Sequence, residues 1–116
     1  MEIIHRNTWN NRKTSVIVLH EGYALVKVII YDEEPETAII SNLIVHPTKR
    51  NLNYGNELLQ AAIKEAKAND CTDIILHTNP KSWIAEWYKR KGFKGYYVNN
   101  KYEMKYDRWY SQKIRI

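Results

Sequence analysis

The hydrophobic period of the chain changes at Pro47, and this constrains the fold more than any other feature. Before Pro47, apolar and β-branched residues come in short runs at 15–19, 23–31 and 37–46, which read as strands. After it, Gly55, Leu58, Leu59, Ala62, Ile63 and Ala66 recur at i, i+3, i+4 spacing, the stripe of an amphipathic helix over residues 54–69. A chain that switches from strand to helix period beside a central apolar strand must pack that helix on a sheet. For every apolar member of the stripe, core packing is a sufficient account.

The remaining elements follow from local signals. His20-Glu21-Gly22 separates the first two runs and makes them a hairpin. Asp32-Glu33-Glu34-Pro35-Glu36 is a solvated turn, and the nearly unbroken apolar character of 37–46 predicts a central strand. Residues 2–9 form a further strand of weak alternation, and 72–78 another. Asn79-Pro80 reads as an N-cap followed by Pro at the first helical position, opening a helix that runs to Lys91, with Gly92 in the left-handed position beyond it. Residues 93–98 and 101–106 alternate around Asn99-Asn100 and make a second hairpin. The order strands, helix, strand, helix, strands predicts an α/β (α+β) domain with a mixed sheet, and 116 residues fit one domain over 1–116.

Composition narrows the function classes. With 44% apolar residues the chain can build a core, and no apolar run is long enough to span a membrane. Met1-Glu2 followed by charged residues is no secretory leader, and the single cysteine, Cys71, excludes an intramolecular disulfide and a multi-cysteine zinc site. The expectation is a soluble cytoplasmic protein without metal. Charge is uneven: residues 1–48 carry four Lys/Arg against six acids, residues 49–116 fourteen against seven. A basic half of this kind suits a polyanion, nucleic acid or a phosphorylated small molecule, and equally suits a solvated surface.

The segment 43–59 carries the chemistry. A buried strand ends, a short basic loop follows, and a helix begins at Tyr54-Gly55. The first turn of a helix offers unpaired N–H groups and the positive end of the dipole to an anion. Arg50 adds charge-assisted hydrogen bonds, Asn53 tolerates left-handed backbone, and Gly55 leaves room for close approach. The pattern is a phosphate cradle. It is not a P-loop, because Gly-Lys-Ser/Thr is missing, and no Rossmann glycine triplet is present.

Val45-His46-Pro47 with Arg50-Asn51-Leu52-Asn53-Tyr54-Gly55-Asn56 resembles motif A of the GNAT acetyltransferase superfamily, which reads Arg/Gln, two residues, Gly, one residue, then Gly or Ala after a strand. Arg50 and Gly55 match, and Asn53 replaces the first Gly. Glu86-Trp87-Tyr88-Lys89-Arg90-Lys91-Gly92-Phe93 is similar to the family's Tyr-x-x-x-Gly-Phe segment, and the resemblance covers residues 15–106. It implies a mixed, mostly antiparallel central sheet with helices on its faces and a splayed fourth and fifth strand. It also implies an acetyl-CoA-dependent N-acetyltransferase acting on a primary amine by direct attack. Acetyl-CoA would then be held by Leu43, Val45, Arg50, Asn51, Asn53, Gly55, Asn56 and Asn79, with backbone near Leu43 and Val45 polarising the acetyl carbonyl. Tyr88 matches the tyrosine that protonates the departing thiolate; it serves equally as a packing partner of Trp83, Trp87 and Phe93.

The departures are as informative. Many relatives carry a glutamate early on the fourth strand as general base, whereas this chain has Ala38-Ile39-Ile40-Ser41. Glu36 just outside the strand, or His46 or His77 at strand ends, would have to relay the proton. The spacing from Asn79 to Tyr88 is one residue off the common one, which leaves Ser82 unassigned. The two helices that usually precede the second strand are missing, so the acceptor face is expected to be open. An open face suits a macromolecular acceptor such as a protein lysine, or a homodimer, with residues 109–116 as a contact element. The other readings are a non-catalytic acyl-CoA-binding or protein-interaction module, and a nucleic-acid binder, for which no RNP, KH or zinc-finger pattern appears.

Overall fold

Alternation and period are realised element by element in the computed structural model, which describes residues 1–8, 12–50 and 52–106. Seven strands, β1 (Glu2–Thr8), β2 (Lys13–His20), β3 (Ala24–Tyr31), β4 (Thr37–Val45), β5 (Asp73–His77), β6 (Phe93–Val98) and β7 (Lys101–Tyr106), join two helices, α1 (Tyr54–Ala68) and α2 (Trp83–Arg90). They form one sheet in the order β1-β2-β3-β4-β5-β7-β6. Among the described strands only β4 and β5 pair in parallel. The fold is the mixed, mostly antiparallel sheet with helices that the sequence implies.

Register places the core on one face. Val16 lies opposite Val28, Val28 opposite Ile40, Ala38 opposite Ile74, Leu76 opposite Met104 and Phe93 opposite Tyr106. All of these are buried in one cluster with Leu58, Leu59, Ala62, Ile63 and Ala66 of α1 and Ala85 and Tyr88 of α2. Both described helices therefore cover the same face. The alternate residues Ile17, Leu19, Leu25, Ile29, Ile39 and Ile75 are only partly buried, on a face that no described helix covers. β1 and β2 are antiparallel neighbours whose ladder runs to the pair Thr8–Lys13, four residues apart in sequence from strand end to strand start. No described helix is long and apolar enough to cross a membrane, and no described group of three His, Cys, Asp or Glu could hold a metal ion.

Local chemistry explains the turns. Asn99 and Asn100 both take positive φ (50° and 64°), the type I′ geometry of a two-residue hairpin. Gly92 (φ 102°) follows α2 as expected. The start of α2 departs from expectation. Asn79-Pro80 does not open the helix, because the Asn79 Oδ1 accepts from the Lys81 N–H (2.9 Å) and closes a turn. Ser82 is the N-cap, its Oγ accepting from the Ala85 N–H at 3.2 Å, so the first helical residue is Trp83. The helix ends at Arg90, with Lys91 as its C-cap.

Candidate functional site

β4 and β5 pair only at Thr37–Asp73, Ala38–Ile74 and Ile39–Ile75, and then part. β4 also shifts register against β3 between Lys27 and Val28. The second half of β4 thus keeps its β5-facing backbone edge free of strand partners, on one side of a cleft. A 3₁₀ turn at Pro47–Lys49 leads the chain off the sheet, and the Arg50 Nε donates to the Val45 carbonyl at 3.3 Å. Asn53 is left-handed (φ 66°), as its side-chain type allows, and turns the chain into α1 without a side-chain cap. The first-turn N–H groups of α1 therefore stay available to an anion.

The start of α1 is held from its far side. The His20 ring stacks on Tyr54 at 4.1 Å, the Tyr54 hydroxyl donates to Glu21, and His20 meets Glu57. On the cleft side sits Gly55. A Cβ there would lie 3.6 Å from the Trp87 ring, 3.8 Å from Val45 and 3.9 Å from Leu43, so a methyl fits and a larger branched side chain collides. α2 forms the facing wall with Trp83, Ile84, Trp87, Tyr88 and Lys91, one face of a helix. Trp83 is 71% exposed at the start of this wall.

Together these elements enclose a cavity of about 740 Å³. It brings together Leu43, Val45, Arg50, Asn53, Gly55, Asn56 and Tyr88, all expected from the sequence. Asn79 is not in the lining, its carboxamide oxygen being engaged in the turn before α2. Asn51 and residues 109–116 lie outside the described residues. The lining also includes Ile44, Trp83, Ile84, Trp87, Arg90 and Lys91, which the sequence reading did not assign as ligand-binding residues. The signal for those on α2 and its C-cap was their i, i+1, i+4, i+7, i+8 spacing, legible once the helix starts at Trp83.

The cleft is chemically graded. Arg50, Arg90, Lys91 and the α1 N-terminus make a cationic mouth, while Leu43, Val45, Trp87 and Tyr88 make an apolar interior. Tyr88 is 5% exposed, edge-on to Trp87 (5.0 Å) and Phe93 (5.2 Å), and burial pushes its phenol up to about 12. The hydroxyl is thus fully protonated at neutral pH. Burial disfavours a neighbouring thiolate too, so a proton moved from phenol to sulfur exchanges one desolvated anion for another.

The remaining titratable groups sort by position. Glu36 precedes β4 at the end away from the cleft; nine residues at about 3.3 Å put it roughly 30 Å from Val45 along the strand. The Cys71 thiol is buried and pushed up, chiefly by that burial, and lies before β5 at the same remote end. The His46 Nδ1 is engaged by the Thr48 N–H (3.3 Å) and hydroxyl (2.8 Å). His77, at the cleft end of β5, lies with its Nε2 3.3 Å from Glu103.

Comparison with known proteins bears on this geometry. A family model described as an acetyltransferase (GNAT) domain matches residues 12–95. No curated protein matches the chain. Several solved structures share the fold. An acetyltransferase of the GNAT family from Staphylococcus aureus superposes with TM-score 0.62 at 20% identity, over 84% of this chain and 70% of that one. A GNAT family acetyltransferase from Elizabethkingia anophelis with acetyl-CoA bound gives 0.63 at 16% identity, over 85% and 78%. A PaiA N-acetyltransferase from Thermoplasma acidophilum in complex with coenzyme A gives 0.65 at 17%, over 82% of this chain and 59% of that one.

Proposed function

The chain belongs to the GNAT acetyltransferase family, and from that premise we propose that it is an acetyl-CoA-dependent N-acetyltransferase that passes the acetyl group directly to a primary amine. The observation that carries this is the cleft itself: a cationic mouth at a helix N-terminus continuing into an apolar slot beside an unpaired strand edge. Its volume, about 740 Å³, suits a cofactor-sized ligand, and the bare Gly55 Cα faces the space that a Cβ would fill.

When bound, acetyl-CoA supplies the activated acetyl thioester. Arg50, Asn53, Gly55 and Asn56, with Arg90 and Lys91 from α2, hold its phosphates; Asn51 and Asn79 belong to the same reading by family resemblance. The free edge of β4 at Leu43 and Val45 pairs with the amides of the pantetheine arm. A backbone N–H on that edge stabilises charge that develops on the acetyl oxygen, a preorganised donor of the oxyanion-hole type. Tyr88 donates its proton to the departing sulfur.

The sheet face that no described helix covers favours a macromolecular acceptor, such as a protein lysine, or a homodimer that completes the site. A cytoplasmic location, a single domain over 1–116 and catalysis without metal go with this reading. The absence of a carboxylate at Ala38-Ile39-Ile40-Ser41 favours the second reading, an acyl-CoA-binding module without turnover.

Calorimetry with acetyl-CoA, followed by turnover assays with Tyr88→Phe, separates the two readings. The enzyme loses at least about tenfold in kcat in that variant with acetyl-CoA affinity retained, since general acids typically contribute 10²–10⁴-fold. A module binds acetyl-CoA and acetylates nothing. Steep salt dependence of binding to nucleic acid, with no acetyl-CoA binding, would overturn both.

A further inference from the structure

Resting on the acetyltransferase reading, we propose that the turn between β2 and β3 is a positioning element for the phosphates of acetyl-CoA, and that Glu21 is the residue through which it sets the direction of the α1 start.

The turn touches both ends of the connection that leads from β4 into α1. At the β4 end, the His46 N–H donates to the Tyr23 carbonyl (2.7 Å), and the His46 ring meets Tyr23 edge-on at 6.0 Å. The Lys49 ammonium lies 4.8 Å over the Tyr23 ring. At the α1 end, the His20 ring stacks on Tyr54, His20 Nε2 meets Glu57, and the Tyr54 hydroxyl donates to Glu21. His20 Nδ1 is buried with no hydrogen-bond partner among the described residues, so Glu57 and the stack hold that ring. The bond to Glu21 is the first cause that raises the Tyr54 phenol above its ordinary value, with burial and the charges of Glu21 and Glu57 adding to it. The hydroxyl therefore remains a donor at neutral pH. None of residues 20–23 lines the cleft, so their effect on a ligand must pass through the elements they hold.

The backbone of the turn is unfavourable for its sequence. Glu21 (φ 55°) and Gly22 (φ 74°) are both left-handed, closed by the Tyr23 N–H on the His20 carbonyl at 3.0 Å. Gly, Asn and Asp take that geometry readily, whereas a longer side chain at positive φ is disfavoured. Local propensity does not account for a glutamate at position 21. A side chain long enough to reach the Tyr54 hydroxyl does.

Tyr54 is the first residue of α1, and Gly55 and Asn56, which line the cleft, follow it. Asn53 makes no side-chain cap bond, and the Glu57 N–H is already given to the Asn53 carbonyl at 3.2 Å. The donors left for an anion lie between, and their direction follows the backbone at Tyr54. Fixing Tyr54 from the far side aims these N–H groups before the ligand arrives, which removes an ordering cost from binding. Glu21 touches no part of the ligand and acts as a positioning residue.

The test compares Glu21→Gln with Glu21→Asn, which remove the same charge. Gln keeps the length and an acceptor oxygen for Tyr54, whereas Asn is one methylene shorter and suits the left-handed turn. In calorimetric titration, Glu21→Gln should bind acetyl-CoA at least as tightly as the wild type, and Glu21→Asn about threefold or more weakly than Glu21→Gln. In thermal melts without ligand, Glu21→Asn should be at least as stable as Glu21→Gln. Affinity then falls while stability does not, whereas a merely structural role would lower both. In a Tyr54→Phe background, which keeps the ring on His20 and deletes the hydroxyl, the Asn–Gln difference in affinity should vanish. Equal affinity of the two variants, or a parallel fall of affinity and melting temperature in Glu21→Asn, overturns the proposal and leaves the acetyltransferase reading standing. So does a difference that persists without the Tyr54 hydroxyl. A wild-type chain that binds no acetyl-CoA fails the underlying reading instead.

Discussion

Along β4, Ala38 and Ile40 are closed into the core at 0% and 6% exposure, whereas Leu43 and Val45, further along on the same face, are only partly buried and line the cleft. Both halves are apolar and β-branched. The first pairs with β5 and packs under the helices, while the second has no strand on its β5 side. Apolar character thus records that water is to be excluded, and not whether a neighbouring strand or a ligand excludes it. The same contrast separates the helices. α1 spends five residues on the core, while α2 buries Ala85 and Tyr88 and turns its tryptophans to the cleft.

The contrast breaks most visibly in the paired half. Ile74→Ala, opposite Ala38, opens a cavity at a 1% exposed site and should cost about 2–5 kcal/mol of stability, measured by denaturant titration. Acetyl-CoA affinity of the folded fraction should remain unchanged.

In the open half the effects should fall on the ligand. Saturating acetyl-CoA at about 100 times its Kd should stabilise the wild-type chain by about 2.7 kcal/mol. Gly55→Val should abolish that gain with little change in the unliganded transition, and Gly55→Ala should reduce it less, because a single methyl meets only ordinary contacts. An unchanged ligand-induced shift in Gly55→Val would remove the anion site from the start of α1.

Tyr88 links the two halves, and its response is a pH dependence. Its folded-state value, about 12, lies above the ordinary value near 10, so the phenol contributes stability fully present below about pH 10 and lost as pH rises through 12. The loss should reach roughly 2 kcal/mol, and Tyr88→Phe should flatten it. As an acid Tyr88 should impose no alkaline fall in kcat below about pH 10. The smallest effect is expected at Ile44: Ile44→Thr should stay within about 0.5 kcal/mol of wild type in stability.

Much of this was legible locally. The helical stripe of α1, the Asn99-Asn100 turn, Gly92 after α2 and the left-handed Asn53 each depend on residues within a few positions of one another, where period and φ preference act. The loop and helix start around Asn53 and Gly55, proposed above to hold phosphate, were legible for the same reason. The start of α2 was misread because Asn79-Pro80 and Ser82 are both competent openers, and the choice rests on which N–H each side chain reaches.

What only the tertiary structure decided is non-local. How far β4 and β5 pair before parting is a register between segments 36 residues apart, and it sets the length of the cleft. The approach of Trp87 to Gly55, the meeting of His77 with Glu103 and the recruitment of Arg90 and Lys91 to the mouth depend on helix placement and cross-strand neighbours. Such contacts arise from the one packing that buries both helices on a single sheet face, and side-chain period measures burial without naming the neighbour that provides it.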